Sequence, residues 1–192
     1  QVMYVWCDAL SNYITAIDYE HEGELFKELW PCDVHLIGKD ILRFHAGIWI
    51  GMLISAGIEI PKSIYVHGFV TSDGQKMSKS IGNVVDPLAY IEKYGANALR
   101  YYLLREIPTM DDGDFSHARF VDLYNSELAN SLGNLVNRIL TMVQRYADSK
   151  VPASSSGEGI LEKVEDVFSR YGGAFAAFDL KAACECVVEL TN

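Results

Sequence analysis

Lys76-Met77-Ser78-Lys79-Ser80 lies between Gly74 and Gly82. Two ammonium groups three positions apart, two hydroxyls and flanking glycines can hold a polyphosphate. The lysines act as point charges on phosphate oxygens, the hydroxyls and freed amides donate hydrogen bonds, and the glycines permit tight turns and motion. The pattern is not a Walker loop, because the G-x-x-x-x-G-K-[ST] spacing is absent. By composition alone the plainer reading, an ordinary solvated loop, is favoured. The four cysteines, Cys7, Cys32, Cys184 and Cys186, lack the C-x2-C pairing of a zinc site, and Cys184 and Cys186 are too close for a bridge. They read as reduced thiols, and the chain as one of the cytoplasm.

The loop must be positioned by the elements around it. Val2–Cys7 is a run of Val, Tyr and Trp that predicts a strand, and residues 18–29 are an acidic excursion. Val34–Ile37 predicts a second strand, stopped by Gly38. Asp40 is then placed to cap a helix running to about Ser55, with Gly57 as its stop signal. Ile64–His67 predicts a third strand leading into the Gly-punctuated loop Gly68–Gly82, and Asp86-Pro87 starts another helix. Alternation of strand and helix is the pattern of an α/β protein with a doubly wound parallel sheet, whose ligands lie outside the carboxyl ends of the strands. Past residue 110 the pattern changes. Asp111–Asp114 predicts a turn, and Ser116 or Asp114 caps a long helix over about 117–147, with Phe120, Leu123, Leu128, Leu132, Leu135 and Ile139 at helical spacings. Lys150–Gly159 predicts a linker, and two helical stretches, about 159–171 and 173–190, are divided by Gly172-Gly173. This half shows no strand signal and predicts a helical bundle.

Composition sets limits. The 192 residues are 49 % apolar and 22 % charged, enough apolar content for a core. The longest near-continuous apolar run, Ile48–Ile58, falls short of the ~20 residues of a bilayer span, so no membrane helix is expected. Net charge is −10, with 9 basic against 13 acidic residues through Met110 and 7 against 13 beyond it. Neither part has the basic footprint of a general nucleic-acid binder, so any such binding would rest on a few specific polar contacts. The chain opens on Gln1 and ends at Asn192 within apolar, patterned sequence, so both ends read as cuts through structured chain.

The order KMSKS at residues 76–80, preceded by His67-Gly68 at a strand end, resembles the class I aminoacyl-tRNA synthetases. Val5-Trp6-Cys7-Asp8-Ala9-Leu10 with Tyr13, and His35-Leu36-Ile37-Gly38-Lys39-Asp40-Ile41 with His45 and Trp49, resemble the methionyl members. So does Tyr101-Tyr102-Leu103-Leu104-Arg105-Glu106 running into Asp112-Gly113-Asp114-Phe115-Ser116. The resemblance covers nearly the whole chain, more loosely past residue 147. Cys7 stands where a Phe or Leu is usual, and no Pro follows Trp49.

The resemblance implies activation of methionine with ATP, as its Mg2+ complex, to an adenylate, followed by transfer to tRNA. It implies that residues 1–110 are the C-terminal part of a Rossmann-like catalytic domain, including the KMSKS loop and the start of a connecting region. Residues 111–192 would be part of a helical anticodon-binding domain. Lys76 and Lys79 would neutralise charge on the β- and γ-phosphates. Gly38, His67, Gly68, Val70, Met77, Ser78 and Ser80 would join them around ATP. Trp6, Leu10, Tyr13, Asp40, Ile41, His45 and Trp49 would contact methionine. Rings suit a polarizable thioether, His45 and Trp49 share a helix face, and Asp40 could hold the α-ammonium. The plain alternatives are core aromatics, a satisfied core histidine and a helix cap. Asn134 and Arg138, also four apart, would read exposed anticodon bases, or else form an ordinary polar face. A His-Ile-Gly-His-type partner motif, and any zinc site, would precede Gln1. The competing readings are a synthetase for Leu, Ile or Val, a non-catalytic tRNA-binding module, and a nucleotidyltransferase sharing only the nucleotide fold.

Overall fold

The computed structural model describes residues 4–78, 80–151, 153 and 157–191. Two compact units divide after Phe69.

The first unit opens on a helix, α1 (Val5–Thr15), where Val2–Cys7 predicts a strand. The correction has a simple cause. Trp6, Leu10, Tyr13 and Ile14 recur at i, i+4, i+7 and i+8, the helical period, and a six-residue window is too short to reveal it. Leu10 and Ile14 are buried. The acidic excursion holds a 3-10 turn, Tyr19–His21, and α2 (Glu24–Leu29). Strands β1 (His35–Gly38) and β2 (Ile64–His67) pair in parallel, with His35 opposite Ile64 and Gly38 opposite His67. Parallel pairing needs a crossover. Here it is a 3-10 turn, Lys39–Ile41, a π-helical stretch, Phe44–Trp49, and α3 (Ile50–Ala56). This replaces the single helix capped by Asp40. The turn is entered from Gly38 without a side-chain cap, and Asp40 lies inside it. Gly57 ends α3 in the left-handed region, φ 70°, a conformation open to glycine at little cost. Leu10, Ile14, Trp30, Trp49 and Leu53 form the core of this unit.

The second unit begins with β3 (Val70–Ser72) and β4 (Gln75–Lys76), an antiparallel hairpin. Asp73 and Gly74 between them have φ of 50° and 74°, the two positive values of a tight hairpin turn matched to strand twist. Helices α4 (Pro87–Tyr94) and α5 (Ala96–Glu106) follow. Asp86 caps α4 by accepting the Leu88 N–H at 2.9 Å, with Pro87 at the first helical position. Residues 111–114 then depart from the expected turn. Gly113–Phe115 is a strand, β5, parallel to β3 with Val70 opposite Gly113 and Ser72 opposite Phe115. Gly113 serves close approach rather than turning, since a Cβ there would lie 2.6 Å from Ile107 Cγ2. The β3–β5 pairing thus carries this unit across residue 110. The long helix expected over 117–147 is present as α6 (His117–Leu123), a π-helical stretch, Tyr124–Gly133, and α7 (Asn134–Tyr146). Helix α8 (Glu158–Ala176) runs through Gly172-Gly173 instead of breaking there. A helical glycine costs only about 1 kcal/mol relative to Ala. The break falls at Phe178, φ 59°, before Asp179 accepts the Ala182 N–H at 3.0 Å and α9 (Leu180–Thr191) begins.

The chain is thus a helix-rich α/β protein with parallel strand pairs. Its second core gathers Ala98, Leu99, Tyr102, Phe115, Phe120 and Leu123. Among the described residues no helix is long and apolar enough to cross a membrane.

Candidate functional site

In the first unit α1 faces the π-helical stretch, and the side chains between them are mostly rings. Tyr13 Oη lies 3.0 Å from His45 Nε2, and His45 Nδ1 lies 3.0 Å from the Ile41 carbonyl oxygen. A carbonyl only accepts, so Nδ1 carries the proton, Nε2 accepts, and the Tyr13 hydroxyl donates. His45 is 1 % exposed. Trp49, equally buried, donates its Nε1–H to His35 Nε2 at 3.0 Å. Trp6 stacks on Phe44, centroids 4.0 Å apart and planes within 8°, and meets the edge of His45. Leu10 is buried, whereas Trp6, Tyr13 and Ile41 are half-buried. All seven residues expected to meet methionine come from two neighbouring elements: Trp6, Leu10 and Tyr13 from α1, and Ile41, His45, Trp49 and Asp40 from the crossover. Burial disfavours charge on His35, and repulsion from His45 adds to this, so its pKa is lowered.

The seventh, Asp40, is exposed and stands at the carboxyl ends of the parallel strands. A Cβ on Gly38 would lie 2.8 Å from Asp40 Oδ1 and 3.6 Å from the His67 ring. Gly38, Asp40 and His67 are thus gathered at one strand end, with Gly68 buried beside them. His67 Nδ1 bonds the Gly68 carbonyl at 2.9 Å. This is where ligands enter open parallel sheets. Any side chain at position 38 would displace the carboxylate.

In the second unit, Val70 begins β3 and Lys76 ends β4, so the hairpin delivers the lysine to the KMSKS loop. The loop is clipped internally. Asn83 Oδ1 accepts the Ser78 N–H at 2.8 Å, and its Nδ2 donates to the Lys76 carbonyl at 3.2 Å. The Ser78 and Ser80 hydroxyls lie 2.7 Å apart, and the Gly82 N–H reaches the Ser78 carbonyl at 3.0 Å. Met77 packs against the aromatic core, anchoring the loop base. Lys79 lies outside the described residues. Asp114 holds the hairpin from β5, accepting from Thr71 Oγ1 at 2.6 Å and from the Gly74 N–H at 2.7 Å. Asn134 and Arg138 are exposed on the first turns of α7, a helical turn apart.

The sequence expectations did not assign site roles to His35, Phe44, Asn83 or Asp114. His35 and Asp114 stand inside the motif stretches, and the Asp73-Gly74 turn signal points to the hairpin that Asp114 braces. Among the described residues no three His, Cys, Asp or Glu side chains gather to hold a metal ion, and the four cysteines are free.

Comparison with known proteins gives a consistent result. A family model described as "tRNA synthetases class I (M)" matches residues 1–140. The methionine–tRNA ligase of Caldanaerobacter subterraneus is 52 % identical over 167 residues, covering 86 % of this chain and 26 % of the relative. That of Thermosynechococcus vestitus is 46 % identical over 201 residues, covering all of this chain and 38 % of the relative. The solved structure of Mycobacterium tuberculosis methionyl-tRNA synthetase in complex with methionyl-adenylate superimposes with a TM-score of 0.93 at 44 % identity, covering 99 % of this chain and 38 % of that one. The chain spans about a quarter to two-fifths of the length of these relatives.

Proposed function

Because the chain belongs to the class I tRNA synthetases of the M group, we propose that it serves the ATP-dependent ligation of methionine to tRNA. The observation that carries this reading is the ring-rich cluster in which Trp6, Leu10, Tyr13, His45 and Trp49 come together, with the Ile41 carbonyl bonded to His45. Its rings suit a thioether, and both imidazoles beneath them present accepting nitrogens bound to neutral donors. Such a cluster favours an apolar, polarizable side chain and offers no charge to a longer polar one. Asp40, at the strand ends, would pair with the substrate α-ammonium.

In the first step a methionine carboxylate oxygen attacks the ATP α-phosphorus. A carboxylate–phosphorus bond forms, the bond to the β-phosphate bridge breaks, and pyrophosphate leaves. Positioning and charge stabilisation supply the acceleration. Gly38, with no side chain, lets the ribose approach the backbone between Asp40 and His67, and Gly68 and Val70 lie toward the adenosine. Lys76, with Lys79, meets the charge growing on the leaving phosphates, while Met77, Ser78 and Ser80 shape the loop around them. ATP enters as its magnesium complex. In the second step a terminal ribose hydroxyl of tRNA attacks the carbonyl carbon, and AMP leaves. Residues 1–110 belong, in this reading, to a Rossmann-like catalytic domain and residues 111–192 to an anticodon-binding helical domain. Asn134 and Arg138 of α7 would read anticodon bases there. The setting is the cytoplasm.

ATP–pyrophosphate exchange on the full-length protein tests the assignment. Exchange driven by methionine, and not by leucine, isoleucine or valine, is the expected result. Exchange driven by leucine alone would overturn it.

A further inference from the structure

His35 is 6 % exposed, lies on β1, and is absent from the set of side chains assigned above to methionine. It is nevertheless the common neighbour of three of them. Its Nε2 accepts the Trp49 indole N–H at 3.0 Å, the Tyr13 ring lies 4.5 Å from its centroid, and the His45 ring 5.9 Å. With Nε2 accepting, its proton sits on Nδ1, 3.7 Å from Cys32 Sγ. Trp30 closes another side at 6.1 Å.

An indole that is 1 % exposed needs a partner for its single N–H. That partner fixes which way the ring plane turns. We propose that His35 is a positioning residue of the pocket: by accepting the Trp49 N–H it locks the indole plane against which the substrate side chain packs. Cys32 and Trp30 hold the imidazole from behind. This assignment rests on the methionine reading above. It goes beyond that reading in placing a specificity determinant on a strand residue outside the set assigned to methionine.

The prediction separates positioning from stability. In full-length enzyme, His35→Phe keeps a ring of similar shape but removes the acceptor. KM for methionine in ATP–pyrophosphate exchange should rise about tenfold, while KM for ATP and kcat stay within about twofold. His35→Gln places an acceptor oxygen near the position of Nε2 and should restore KM to within about threefold of wild type. His35→Asn, equally polar but one bond shorter, should not. This Gln–Asn contrast decides the matter even where His35→Phe fails to fold. Equal KM values for the Gln and Asn variants would overturn the assignment, as would equal rises in KM for methionine and ATP. Wild-type exchange with methionine and an unchanged His35→Phe would overturn it while leaving the functional reading intact. Absence of methionine-driven exchange in the wild type would overturn the functional reading and this assignment together.

Discussion

Two aromatic clusters, one in each unit, use similar rings to opposite ends. In the second unit Tyr90, Tyr94, Tyr102, Phe115 and Phe120 meet mainly edge to face, with centroids 4.9–6.3 Å apart. The polar atom of its most buried tyrosine goes to backbone, the Tyr102 hydroxyl accepting the Ser116 N–H at 3.1 Å. In the first unit Tyr13, Trp30 and Trp49 are interleaved with two imidazoles, and the polar ring atoms of Tyr13 and Trp49 meet a second ring. A hydroxyl tied to backbone closes a core. A ring tied to another ring sets the orientation of both. The contrast belongs to the most buried rings, Trp49 and Tyr102, since Tyr90 Oη also lies 2.8 Å from the His117 ring nitrogen and Trp30 Nε1 donates to the Glu59 carbonyl at 2.9 Å.

Removing one ring from the second cluster should have the largest effect. Phe120 is 1 % exposed and contacts Tyr90, Tyr94, Tyr102, Phe115 and Tyr124. Phe120→Ala should cost about 3–5 kcal/mol, from lost transfer energy and the cavity left behind. Denaturant unfolding of the full-length protein measures it. A cost below about 1 kcal/mol would break the description of this cluster as a packed core.

A smaller effect sharpens the contrast. Tyr13→Phe and Tyr102→Phe each delete one hydroxyl, and each should lower stability by about 1 kcal/mol. Only Tyr13→Phe should also raise KM for methionine, by about three- to tenfold, because it removes the donor to His45 Nε2, within the set proposed to meet methionine. Steady-state exchange kinetics on the two variants decide this, and a matching KM shift in Tyr102→Phe would erase the distinction.

The sequence disclosed short local signals more readily than elements built by distant packing. Gly38, the Gly57 stop, the Asp86-Pro87 helix start and the strand at 64–67 are local signals, and they stand where expected. Trp6, Leu10, Tyr13, His45 and Trp49 do gather, but the periodicity that gathers three of them needs eight or more residues to show, so a short Val-Tyr-Trp run reads as strand. β5 was hidden because Asp-Gly-Asp is a turn signal by composition. Only its pairing with β3, more than 40 positions away, makes it a strand. Gly172-Gly173 has breaker composition, yet tertiary packing along α8, with Val167 buried at 1 %, outweighs it. His35 shows best how a site hides. A histidine in a strand carries no signal of its own until the buried indole that needs it is seen in space.

The smallest expected effect is a pH dependence, and it tests the same contrast. Burial, helped by repulsion from His45, lowers the His35 pKa below its ordinary value of 6.5. The folded protein therefore holds this imidazole neutral where the unfolded chain has begun to protonate it. As pH falls through the window beneath 6.5 the unfolded state binds the extra proton first, so the stability that this site holds above that value is progressively lost. Protonating Nε2 would also remove the acceptor from the Trp49 N–H. In the second cluster the corresponding groups, buried Tyr102 and half-buried Tyr90, are phenols pushed up from 10.0 chiefly by burial, so they contribute no slope in this window. Thermal unfolding of the full-length protein at pH 7.5 and 5.5 should show a smaller pH difference for His35→Gln than for wild type, and an unchanged difference for Tyr102→Phe. Equal slopes for wild type and His35→Gln would mean that the imidazole accepts its proton in the folded state as easily as in the unfolded one. The first cluster would then differ from the second in geometry alone.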